Sequence, residues 1–198
     1  STTIVNDHQL QLMVMDPSAD YTLAADINMS DLSNASSMWR TSANPDTDGG
    51  YGFVPVGDAA TPFTGSLDGA DHSISDISIY RPSTSLVGLI GYGSGASIHD
   101  VDLIGGSVQG STSVGALAGG LGPGSTVDNV HASTTVSGSS NVGGLVGVSN
   151  DSTVSNAYAT GKVTGTASVG GLIGYATYGT TVTQSYATGQ VSGTSSVG

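Results

Sequence analysis

Five copies of one phrase limit what this chain can fold into. Val87-Gly88-Leu89-Ile90-Gly91, Val114 to Gly119, Val142 to Gly147 and Val169 to Gly174 are variants of VGGLVG, and a fifth copy opens at Val197-Gly198. The opening valines stand at 87, 114, 142, 169 and 197, so the steps are 27, 28, 27 and 28 residues. Self-similarity at a fixed period of this length marks a stacked repeat architecture.

Each repeat carries two further phrases. Ile98, Val127, Val154 and Val182 open the second; Val108, Val136, Val163 and Val191 mark the third, each two residues before Gly110, Gly138, Gly165 or Gly193. Apolar residues alternate within the pieces, as in Val101 and Leu103 or Val130 and Ala132, which is the period of a strand with one buried face. One repeat therefore reads as three short strands. They cannot bury a face alone, so each must lie on its counterpart in the next coil, about 4.8 Å away. Like residues then stack on like. Asp76, Asp100, Asn129, Asn156 and Gln184 form one expected polar corner column. His131, Tyr158 and Tyr186 form an outward column that alternates with Ala132, Ala159 and Ala187, expected to be buried. Stiffening by ring stacking is one role for the tyrosines; a platform for a sugar ring is the other, and makes Tyr158 and Tyr186 candidate binding residues.

VGGLVG followed by VSNAYATGKVTG at 154–165 resembles the GLUG repeat of large bacterial surface and secreted proteins. These include filamentous-haemagglutinin-like adhesins and the N-terminal parts of zinc-dependent peptidases that cleave immunoglobulin A. YTLAADINMS at 21–30, FVPVG at 53–57 and PFTGSLDGADHSISDISI at 62–79 are similar to what precedes such repeats in filamentous adhesins. The resemblance covers roughly residues 4–198. It implies an all-β fold, a right-handed parallel β-helix with about 27–28 residues per coil, and that hand agrees with the rule for parallel crossovers. It also implies a segment of a surface-exposed or secreted exoprotein, hence an extracellular location. Such a segment forms a stiff stalk and presents loops to a receptor or glycan on a host or neighbouring cell.

Composition restricts the partners. Fifteen acids against Arg40, Arg81 and Lys162 give a net charge of −12. Phosphate neutralisation needs Lys and Arg, which argues against nucleic acid; an anionic membrane surface is disfavoured for the same reason. No apolar run has the length of a transmembrane helix, so direct membrane insertion is not expected. With 31 glycines and only two Phe and one Trp, an ordinary globular core would be hard to pack, whereas a solenoid needs only thin aliphatic layers.

Residues 1–20 read as an N-terminal cap: Asn6 and Asp7 start a short helix over 8–15, Leu10, Met13 and Val14 give it one apolar face, and Pro17 ends it. Residues 21–83 read as irregular first coils with a long loop at 30–52, and residues 84–198 as regular coils cut off inside a repeat. An open last coil is a free sheet edge, so end-to-end self-association is expected, and further repeats are expected in a longer parent chain.

Chemistry is sparse. Asn44, Asp46 and Asp48 before Gly49 resemble the first half of a calcium loop, but Pro55 stands where the bidentate glutamate belongs. Weak calcium binding is the one cofactor expectation. Trp39, in the same loop, is either an anchor beneath it or a ligand platform. There is no HExxH, GxSxG, P-loop or cysteine. Asp68-Asp71-His72 and His99-Asp100 are each half of an acid–base pair, read as coincidence among four histidines. The expectation is a non-enzyme. The alternatives are a polysaccharide-active β-helix enzyme, which would place several carboxylates on one solenoid face, or an accessory domain of a secreted peptidase.

Overall fold

Asn6 opens the fold as a helix cap. Its extended backbone lets the side chain accept the Gln9 N–H at 2.9 Å, while the Gln9 side chain accepts the Val5 N–H at 2.8 Å. The computed structural model describes residues 2–30 and 51–198. The capped helix covers Asp7–Gln11 and tightens into a 3-10 turn over Leu12–Met15. Leu10 and Met13 are fully buried in the core, with Val14 packed beside them. Gln11 completes the cap. Its side-chain amide donates to the Val54 carbonyl at 3.1 Å and accepts the Val54 N–H at 2.8 Å, so it stands in for a missing strand.

Beyond the cap the chain winds as an all-β parallel solenoid of about five turns. Each regular coil runs through four sheets rather than the three strands read from the sequence. Ala118–Leu121, Thr126–Ala132, Thr135–Ser137 and Ser140–Gly143 make one coil. The VGGLVG phrase is itself two strands, Ser140–Gly143 and Val146–Ser149, which belong to different sheets. Leu145 between them is fully buried at the corner.

The register is like on like. Val127 lies between Ile98 and Val154, Val136 between Val108 and Val163, Val142 between Val114 and Val169, and Val146 between Ala118 and Ile173. All but Ile173, which is half-buried in the uncovered last coil, are fully buried. The longest sheet starts at Thr2–Ile4, passes through Asp20–Leu23 and Ser66–Ser75, and continues through Ser97–Ile104, Thr126–Ala132, Thr153–Ser155 and Thr181–Thr183. The first coils are irregular: Tyr21 to Met29 breaks into Asp20–Leu23 and Ile27–Asn28, and Phe53, Val56 and Phe63 are buried but largely outside strands.

Two columns of left-handed residues bend every regular coil. One is Asp100, Asn129, Asn156 and Gln184, with φ of 56°, 51°, 49° and 49°. Asp76 does not belong to it. Ile74 pairs with Leu103, not with Ile98, so Asp76 falls at the next corner, beside Gly105. The partner of Ile98 is Leu67, and between the two lies a bulge in Ser66–Ser75, where Ala70 and Asp71 are both left-handed and the register shifts between Asp68 and His72. The second column, Leu86, Ser113, Asn141, Ser168 and Ser196, lies one residue before each opening valine. Four of its five residues are small and polar, Leu86 being the exception.

The second column explains the closing glycine of the phrase. The left-handed bend drives the backbone of one coil against the next: a Cβ on Gly147 would stand 2.5 Å from the Ser113 carbonyl carbon. A corner glycine has a different reason. A Cβ on Gly138 would meet Val114 Cγ2 at 2.9 Å and Val142 Cγ2 at 3.0 Å, so glycine and valine columns interlock. The last coil has nothing stacked on it. Val182, Ala187 and Val197 are exposed there, where Val154, Ala159 and Val169 are buried one coil earlier. Ala187 thus departs from the burial expected of its column, and this open face is where the end-to-end association expected from the sequence would act.

Because backbone cannot yield as a side-chain tip can, Gly147→Ala is expected to cost about 1–3 kcal/mol, read as a fall of roughly 3–10 °C in Tm by circular dichroism. Thr164→Ala, at an exposed strand position, should change stability by less than about 0.5 kcal/mol.

Candidate functional site

The outward face of the longest sheet gathers the chain's acid–histidine chemistry. Register does the gathering. Asp68 lies opposite His99, and His99 lies opposite Asp128, so three successive coils contribute one row. Asp100 and Asn129 form the adjacent row. His99 Nδ1 stands 2.9 Å from Asp100 Oδ2 and 3.6 Å from Asp68 Oδ1. All three side chains are about one-third exposed: 35% for His99, 37% for Asp68 and 39% for Asp100.

Neighbouring groups hold the carboxylates in place. The Asn129 amide donates to Asp100 Oδ1 at 2.6 Å. The Ala70 N–H donates to Asp68 Oδ1 at 2.8 Å. Asp128 Oδ1 accepts from the Ser155 hydroxyl at 2.6 Å and from the Asn156 amide at 2.8 Å. Along the polar corner column the amide bond runs straight from Asn129 to Asp100, but Asn156 crosses to the next row. Asn129 first, then His99, holds the Asp100 carboxyl below the usual carboxylate range. The Ser155 hydroxyl and then Asn156 do the same for Asp128, against the opposing charge of Asp100.

Two more couples flank this group. Asp26 Oδ1 accepts the Ser73 N–H at 2.9 Å and lies 3.2 Å from His72 Nδ1. His131 Nδ1 stands 2.7 Å from Asp102 Oδ1, across one coil step. Among the described residues, three histidines thus meet carboxylates on this one sheet, and Asp68, His99 and Asp100 are the set with ligand spacing for a cation.

The aromatic column continues from His131. Its ring stacks on Tyr158 with centroids 3.8 Å apart, and Tyr158 stacks on Tyr186 at 5.1 Å, with interplanar angles of 20° and 11°. Both faces of Tyr158 are therefore engaged within the column. The row offers solvent ring edges and hydroxyls, and its end rings, His131 and Tyr186, each have one face turned away from Tyr158. Trp39, Asn44, Asp46 and Asp48 lie outside the described residues.

The sequence reading missed the Asp68–His99–Asp128 row. A 27- or 28-residue step back from His99 lands on His72 or Asp71, while the bulge makes the true partner Asp68. The one usable signal was Gly69-Ala70-Asp71 inside an otherwise strand-like run.

Fold and register define a repeat solenoid, and the comparisons agree. The GLUG motif matches residues 138–164 and 165–192, each a single coil. The chain is 43% identical over 104 residues to halomucin of Haloquadratum walsbyi, a match that takes in 52% of this chain and 1% of that protein's length. Over 96% of this chain and 67% of the other, the fold superposes with a TM-score of 0.66 and 22% identity on a crystal structure from Bacteroides ovatus, a protein provisionally assigned as an immunoglobulin A1 protease. That likeness is one of fold.

The hydrogen bonds to Asp128 persist only with its carboxylate. Its folded pKa lies below the unfolded value of about 3.9, so their stabilisation is present above that pH and lost as pH falls through the native value. A carbon-detected NMR titration should find the Asp128 midpoint below that of an unfolded-chain aspartate. In Ser155→Ala/Asn156→Ala the midpoint should rise; an unchanged midpoint would mean that these bonds do not form.

Proposed function

We propose that this chain is a structural and adhesive segment of a large surface-exposed or secreted protein. It forms a stiff rod and presents side chains and loops for attachment to cells, glycans or matrix. The observation that carries this reading is the like-on-like register of the regular coils, which extends the chain by stacking and leaves the long outward faces free. The GLUG matches and the halomucin similarity support it, as does an acidic, lysine-poor surface suited to a solvated exterior. The candidate contact surfaces are the edge-on Tyr158–Tyr186 row and the segment containing Trp39.

A second reading, a polysaccharide-active β-solenoid, draws on one observation. Asp68, Asp100 and Asp128 gather around His99 on one solenoid face, which is the carboxylate cluster that this reading calls for.

One experiment separates the two. Beads carrying the purified chain are exposed to immobilised glycans and matrix polymers, where multivalent display raises avidity by about 100-fold or more. The adhesive reading expects selective retention with no new reducing ends. Reducing ends released by the chain and abolished in Asp128→Asn would favour the enzyme, and no retention on any polymer would count against the adhesive part of the proposal.

A further inference from the structure

We propose that Asp68, His99 and Asp100 form a binding site for a divalent transition-metal ion of the zinc class, with Asp128 supplying additional negative charge from the following coil. This inference is independent of whether the chain is adhesive.

The geometry is the first support. Donor atoms that share one ion at 2.0–2.2 Å stand about 3.0–3.5 Å apart in octahedral or tetrahedral arrangements. His99 Nδ1 lies 2.9 Å from Asp100 Oδ2 and 3.6 Å from Asp68 Oδ1, and the ligand atoms of all three residues fall within 4.8 Å of one another. The two separations from Nδ1 bracket that range.

The second support is proton accounting. Without an ion, the Nδ1–H of His99 can serve only one of the two carboxylates that face it. A cation bound by the neutral imidazole serves both. Asp128 lies on the opposite side of the His99 row, so three carboxylates surround one imidazole. Among the described residues, every ion pair is made by a histidine and none by Lys or Arg.

The third support is positioning from outside the ligand set. The Asn129 amide occupies Asp100 Oδ1 and leaves Oδ2 turned toward His99. The Ala70 N–H fixes Asp68 from within the bulge. Such outer partners orient ligands and raise affinity. The imidazole selects the class of ion: nitrogen with carboxylates suits zinc, nickel or copper, whereas calcium takes an all-oxygen shell. Three protein ligands leave at least one position open to water or to a ligand oxygen.

The test uses the full chain and Zn2+ itself. Isothermal titration calorimetry should give one site per chain, and NMR titration should move the His99 ring signals before those of His8, His72 and His131. His99→Ala should abolish this site, Asp68→Asn and Asp128→Asn should weaken it by about tenfold or more, and His131→Ala should leave it unchanged. His99 and Asp68 point outward, and an unchanged circular dichroism melt of the apo variants would confirm that they fold. No binding by the wild type at millimolar Zn2+ would overturn the proposal. So would equal binding by His99→Ala, or a preference for Ca2+ over Zn2+.

Discussion

Everything in this molecule depends on the stacking of each coil on the one before, in a register that puts like side chains together. Parallel backbone ladders supply the bonds, but they do not choose a register. Side-chain shape chooses it. Val114 and Val142 close over Gly138, and Gly147 admits the backbone of Ser113 where no Cβ would fit. A slip of one residue would put a side chain where Gly138 makes room for Val114 and Val142 and turn the aliphatic columns outward. The period of 27–28 residues is the sequence form of that constraint.

This is why the repeat was legible and its details less so. Stacked positions recur at the coil period, so Val127, Val136, Val142 and Val154 identify themselves. The cap was legible too, since Asn6, the Leu10–Met13 spacing and Pro17 are local signals. What is not periodic in residue type escapes. The left-handed column of Leu86, Ser113, Asn141, Ser168 and Ser196 keeps perfect phase, yet Ser and Asn are too common along this chain to announce it. Asp76 looked in phase and was not, because the partner of Ile98 is Leu67 rather than Ile74. The bulge at Ala70 and Asp71 hid the candidate site, since it moves the partner of His99 back to Asp68.

The faces of the solenoid differ in what they can do. The stacked rings of His131, Tyr158 and Tyr186 use their faces on one another and leave edges for contacts. The acid–histidine rows beside them are half-exposed and held by amides and hydroxyls rather than by Lys or Arg. The rigid sheet supplies what a loop could not: donor atoms from separate coils kept within a few ångströms by the register itself.

The most direct test is to remove a whole coil and then part of one. Deleting residues 139–165 joins Gly138 to Thr166 and preserves the register, because Ser140 and Ala167 are partners in adjacent coils. That variant should fold with the same β spectrum and a cooperative melt, and should lose only the stability of one coil. Deleting residues 139–152 removes only part of a coil and should leave the chain unfolded or aggregated. Equal tolerance of both deletions would contradict the claim that coil register organises the fold.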